Sequence, residues 1–163
     1  ISFGPAKMGR TLVTLAKYFS SNEKPSHLTA LHITPQTDIS PQDAILFERS
    51  SFALAKQRAE EIGLELETKY MVANDVTDEI SKTIKRKKIN LLIVGGAKPL
   101  FNERVLGGKL KNIIETVECD VAVLSDGNFK HLQNILLIVE PITEKYLIDY
   151  AAVLAKNSKS PIT

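Results

Sequence analysis

Residues 89–124, INLLIVGGAKPLFNERVLGGKLKNIIETVECDVAVL, decide the fold. Ile89 to Val94 is a short, almost unbroken apolar run, the pattern of a parallel strand covered on both faces. Gly95-Gly96 ends it. A loop leads to Gly107-Gly108, which opens a helix with Leu110, Ile113, Ile114 and Val117 at i, i+3, i+4 and i+7. Val121-Ala122-Val123-Leu124 is the next strand. In an open α/β sheet, ligands bind outside the carboxyl ends of strands. A loop entering a helix N-terminus can also present free N–H groups to an anion. This loop is therefore the first candidate site.

Outward from that stretch, strands and helices alternate. Ile1-Ser2-Phe3 reads as the remnant of a strand, turned by Gly4-Pro5, with a helix over 10–19 that buries Leu12, Leu15, Ala16 and Phe19. A second apolar strand covers 28–33. Ser40, Pro41 and Asp43 carry N-cap, first-turn and capping-box chemistry for a helix running to Ile62, with Gly63 as its C-cap. Residues 64–72 alternate, with Leu64, Leu66, Thr68, Tyr70 and Val72 on one face and Glu65, Glu67 and Lys69 on the other. That predicts a half-exposed edge strand. Asn74 or Asp75 caps a third helix, which turns Val76, Ile80 and Ile84 inward. Residues 125–133 form a polar linker, 135–139 another strand and 143–155 another amphipathic helix. The order β-α-β-α-β-α-β-α-β predicts an α/β fold: an open parallel five-stranded sheet with helices on both faces, joined by right-handed crossovers.

A length of 163 residues suits one domain with an appendage, and 44% apolar residues can supply its core. A net charge of +2 gives no polyanion signature. The run Lys85-Arg86-Lys87-Lys88 falls at a helix C-terminus, where cations complement the dipole, so no nucleic-acid partner is expected. One cysteine, Cys119, excludes a disulfide framework. His27, His32 and His131 lack metal-ligand spacing, and no run reaches the roughly 18–20 apolar residues of a membrane span. No nucleophile elbow or Walker loop occurs, so no catalytic or metal residue is assigned and no enzyme is expected. His32, near a strand's carboxyl end, is placed to line the site and, as a histidine, to sense pH.

The tail repeats the order of the start. Pro141 lies 141 − 5 = 136 positions beyond Pro5, and Leu12, Leu15, Ala16 and Phe19 then fall over Ile148, Ala151, Ala152 and Ala155. A strand and helix cannot bury their apolar faces alone. The expected organisation is a domain over 1–124, a linker over 125–133, and the first β-α unit of a second copy over 134–163. Both ends read as cut from a longer protein.

The arrangement resembles the universal stress protein family, whose Rossmann-like domains have a five-stranded parallel sheet. Many members bind ATP between the loop after the first strand and a motif after the fourth. That motif is glycine, two residues, glycine, nine residues, glycine, then Ser or Thr. Ile93-Val94-Gly95-Gly96 is similar to its start, Gly107-Gly108-Lys109 to its end, and Glu118 to Leu124 to the family's closing strand. The resemblance implies ligand contacts at Gly4, Val72, Gly95, Gly96, Lys98, Gly107, Gly108 and Lys109, with ATP or AMP as the nucleotide. Three positions depart from it. Gly4 stands where the family has an adenine-contacting Asp, Lys98 replaces the second motif glycine, and Gly108 or Lys109 replaces the final Ser/Thr. In the second copy Glu140 falls at the Asp position.

A narrower resemblance is to the tandem stress-protein-like cytoplasmic tails of bacterial monovalent cation:proton antiporters. It rests on Ile1-Ser2-Phe3, Leu31-His32-Ile33-Thr34-Pro35-Gln36-Thr37-Asp38, Leu91 to Ala97, and Ser125-Asp126-Gly127-Asn128-Phe129. It implies a regulatory, ligand-sensing or dimerisation domain at the cytoplasmic face of the membrane. The partners would be a covalently attached antiporter and a second copy. The rival expectation is a free-standing tandem ATP-binding stress protein.

Overall fold

A computed structural model describes residues 1–20, 26–36, 40, 43–96, 108–125, 129–139 and 144–163. Their elements run α1 (Ala6–Phe19), β1 (Leu28–Pro35), α2 (Ala44–Glu61), β2 (Leu66–Ala73), α3 (Val76–Lys87), β3 (Leu91–Gly96), α4 (Lys109–Thr116), β4 (Asp120–Ser125) and α5 (Lys145–Ser158).

The strands form two parallel pairs, β1 with β2 and β3 with β4, rather than the expected five-stranded sheet. Between the pairs sits Ser2, bridged in parallel to Leu31 on one side and to Val94 on the other. The Ser2 N–H donates to Ile93 O at 3.0 Å, and the Leu31 N–H donates to Ile1 O at 2.9 Å. Past Gly4, Pro5 has no N–H to carry a ladder further.

Helices cover both faces. Ile1, Phe3, Ala30 and Ile93 pack with Leu12, Val13 and Ala16 of α1 and Phe52, Ala55 and Ala59 of α2. Leu31, Ile33, Leu92 and Val94 pack with Ile80 and Ile84 of α3 and Ile113 of α4. Neighbours such as Leu92 and Ile93 thus face opposite layers, which is why the strand reads as a continuous apolar run. Ile114, expected inside, is 40% exposed, because the α4 stripe is narrower than its spacing suggested.

Helix ends follow local chemistry. Asp75 caps α3, its Oδ1 accepting from Thr77 N at 2.8 Å and Asp78 N at 3.1 Å. Gly63 takes φ +65° after α2, and the Leu64 N–H reaches back to Ala59 O at 2.8 Å. α2 begins at Ala44, later than its capping residues implied. Ser40 Oγ instead donates to Asp43 Oδ2 at 2.6 Å and accepts from Asp43 N at 3.3 Å. In the basic run, Lys85 pairs with Glu118 and Lys87 with Glu67, so two of its four charges are spent within the fold.

The tail docks on α1. Asn157 Nδ2 donates to Tyr18 O and Ser20 O, both at 2.8 Å, and Phe19 meets the Tyr150 ring edge to face at 5.8 Å. The Ile135 N–H donates to Pro161 O, the Thr163 N–H to Ile135 O and the Leu137 N–H to Thr163 O. The start of the chain is bonded in the same way. The Ile1 ammonium donates to Thr29 O, the Leu31 N–H to Ile1 O and the Phe3 N–H to Leu31 O. The offset between the two patterns is 135 − 1 = 134 at the first segment and 163 − 31 = 132 at the second, rather than a uniform 136.

Candidate functional site

Ser2 marks the point where chain order reverses: β1 and β2 lie on one side of it, β3 and β4 on the other. The crevice beyond this switch point is where an α/β fold receives a ligand. Gly4-Pro5 on one side and Gly95-Gly96 on the other follow the bridged residues Ser2 and Val94. An added Cβ at Gly4 would meet nothing within 4 Å, so this side is open. An added Cβ at Gly95 would lie 2.5 Å from Met8 Cγ and 2.6 Å from its Sδ. The Met8 thioether, from the first turn of α1, therefore lies flat on the Gly95 backbone. No sequence signal linked these two residues; only the turn at Gly4-Pro5 brings them together.

The helix ends differ in electrostatics. α1 starts beside the crevice with no acid in its first turn and with Lys7 exposed there. α4 starts at Gly108, whose φ of +80° favours glycine, again with no acid in its first turn. α3, by contrast, carries Asp78 and Glu79 in its first turn. Helix N-termini attract anions, so a phosphate is favoured on the α1 and α4 side and opposed at α3.

Of the expected contacts, Gly4 lies two residues after the Ser2 bridge, and Gly95 and Gly96 end β3, the strand bridged to Ser2. Gly108 and Lys109 start α4 after the loop. Lys98, Gly107 and Glu140 lie outside the described residues. Val72 ends β2, paired with Thr34 and 41% exposed. It stands three strand intervals from β3, roughly 14 Å at ordinary strand spacing.

Sequence reasoning placed His32 near the site but missed the cluster that holds it. Its ring is buried against Phe3, Phe52 of α2 and Tyr70 of β2. Burial lowers its pKa from the ordinary histidine value, partly opposed by a hydrogen bond to the Phe3 backbone. Nδ1 has no partner. The Tyr70 hydroxyl donates to Thr34 Oγ1 at 3.0 Å, which ties the end of β1 to β2. Through Phe3, His32 supports the residue before Gly4. Cys119 is half-buried and free, its thiol pushed up mainly by burial. Among the described residues, no group of three His, Cys, Asp or Glu is placed to hold a metal, and no helix is long and apolar enough to cross a membrane.

Comparison with known proteins agrees with this geometry. The universal stress protein family profile matches residues 13–125, and the chain belongs to that family. A universal stress protein solved in complex with cAMP is 17% identical, with a TM-score of 0.56 over 76% of this chain and 94% of that one. A universal stress protein from Archaeoglobus fulgidus is 13% identical, also at 0.56, over 76% and 91%. At these identities the likeness is one of fold. Comparison with curated protein sequences finds no match.

Proposed function

We propose that the chain is a regulatory, ligand-sensing domain. It would take an adenine nucleotide, ATP or AMP, in the crevice between Gly4-Pro5 and Gly95-Gly96. One observation carries this reading: the glycine-ended β3 meets the Gly4 turn at the switch point, beside a helix start that has Lys7 and no acid in its first turn. The related fold solved with cAMP supports the choice of nucleotide. The reading is of a binding module, and steady-state ATP hydrolysis is expected to be absent.

For its setting, we favour the cytoplasmic tail of a monovalent cation:proton antiporter, on the segments that resemble such tails. The matching hydrogen bonds at Ile1 and Ile135 support a second unit starting near residue 134 and fit a tandem arrangement. They equally suit a free-standing tandem stress protein, and the sequence upstream in the gene separates the two. A homodimer is expected in either setting.

Thermal unfolding with ATP, AMP and cAMP at millimolar concentration tests the site. A nucleotide at about 100 times its Kd adds roughly 2.7 kcal/mol. For a chain of this size that raises Tm by roughly 5–11 °C. No shift with any of the three would overturn the nucleotide reading and leave a dimerisation module.

A further inference from the structure

A second cavity lies on the other side of the molecule, where the tail meets the sheet. It measures about 300 Å³ and runs between α5, residues 135–137, the end of α1 and the first residues of β4. Most of its wall is aliphatic: Leu91, Val121, Leu147 and Leu154 among others. Its polar features are few and of one sign. Asp120 contributes a carboxylate whose Oδ2 accepts from the Tyr150 hydroxyl at 2.7 Å. Tyr150 also meets Phe19 edge to face at 5.8 Å and Tyr146 at 6.4 Å, both nearly perpendicular.

An exposed carboxylate beside two tyrosine rings, at the rim of an apolar groove, is chemistry for a cation. The rings offer negative π faces, and an ammonium gains most from them where water is displaced. No lysine or arginine lines the cavity, and Asp120 forms no ion pair among the described residues. Its charge therefore remains available. Burial, then the bond to this carboxylate, pushes the Tyr150 hydroxyl well above the usual tyrosine range. Tyr150 thus stays a neutral donor to this carboxylate.

We propose that this cavity binds a small organic ammonium ion, its charged group at Asp120 and its apolar part against Leu147, Leu154 and the Tyr146 and Tyr150 rings. The site is separate from the nucleotide crevice and does not depend on that reading. Its occupant would touch α1, β4 and α5 at once, and so would clamp the tail onto the sheet.

Titration of the 163-residue chain with 2-phenylethylammonium, followed by the tyrosine ring resonances in NMR, tests this. The neutral, nearly isosteric 2-phenylethanol is the control. Expected are saturable shifts at Tyr146 and Tyr150 and a Kd at least tenfold tighter for the ammonium than for the alcohol. The preference should vanish in Asp120→Asn, whose amide oxygen can still accept from Tyr150. Equal affinities for the two compounds would reduce the cavity to an apolar gap and overturn the proposal. So would absence of saturation, or an Asp120→Asn variant that keeps the preference. If that variant does not fold, the ratio of the two affinities in the unaltered chain, and its decline as salt is raised, decides alone.

Discussion

The His32 ring stacks on that of Tyr70 with centroids 5.8 Å apart and only 10° between the planes. Phe3 and Phe52 close the other sides, and Tyr70 is the only titratable group among these ring neighbours. Nδ1 has no hydrogen-bond partner there, and the Phe3 backbone only partly offsets the burial. The folded pKa lies below the unfolded value, so the unfolded chain binds more protons in the interval between them. Stability contributed by neutral His32 is complete above about pH 6.5 and falls as pH drops from there through the folded pKa. Urea unfolding at pH 7.5, 6.5 and 5 should show this loss in the natural chain. His32→Phe should flatten it, and parallel pH curves for the two proteins would refute the assignment.

Gly9 and Gly4 flank the same turn and should respond oppositely to alanine. A Cβ at Gly9 would sit 2.7 Å from the Phe3 ring, which is itself wedged against Phe52 and His32. Gly9→Ala should therefore cost about 1–3 kcal/mol through overpacking. Gly4→Ala meets open space and should be neutral or stabilise by about 0.4–1 kcal/mol through the unfolded state. Chemical denaturation of both variants checks the contrast.

The open space at Gly4 also permits a gain-of-function test. Gly4→Asp restores the carboxylate expected of nucleotide-binding relatives at a place where a side chain would meet nothing within 4 Å. ATP affinity measured by calorimetry should rise at least severalfold, with little change in Tm without ligand. Unchanged affinity would mean that adenine is not held at Gly4.

Asp75 accepts two backbone N–H groups at the start of α3. Asp75→Ala should cost about 0.5–2 kcal/mol, the range for lost N-caps, and Asp75→Asn should recover most of it. Thermal unfolding of the pair measures both.

Asn157 supplies both donors that fasten α5 to the carbonyls of Tyr18 and Ser20. Asn157→Leu strands those acceptors, at about 1–3 kcal/mol. Because the damage is local, hydrogen exchange should speed up in α5 well before it changes in β1 or β3. Uniform acceleration across the chain would show instead that tail and sheet unfold as one unit.

What the sequence revealed followed what each feature depends on. The runs at 28–33 and 89–94 were legible because a strand buried on both faces has no polar positions. Leu12, Leu15 and Ala16 were legible because helix spacing places them on one face. The sheet was overcalled: five strand-like runs within residues 1–124 suggested five ladder members, whereas Ser2 makes only isolated bridges. At the site, glycines announced themselves by composition. Met8 over Gly95, the His32 ring cluster and the Tyr150–Asp120 bond did not, because each joins residues distant in the chain through ordinary side-chain types.

The paired hydrogen-bonding pattern at Ile1 and Ile135 has a kinetic consequence. Residues 135–137 present the same spacing of donors and acceptors as residues 1–3, and both segments precede an amphipathic helix of fourteen residues. During refolding, the edge of β1 at Leu31 is a target for either segment. Selection between them falls to the Ser2 bridge to Val94, which a bulky Leu136 in the same place would have to replace inside the core. The small side chain of Ser2, buried between β1 and β3, is what distinguishes residues 1–3 from residues 135–137 at this edge.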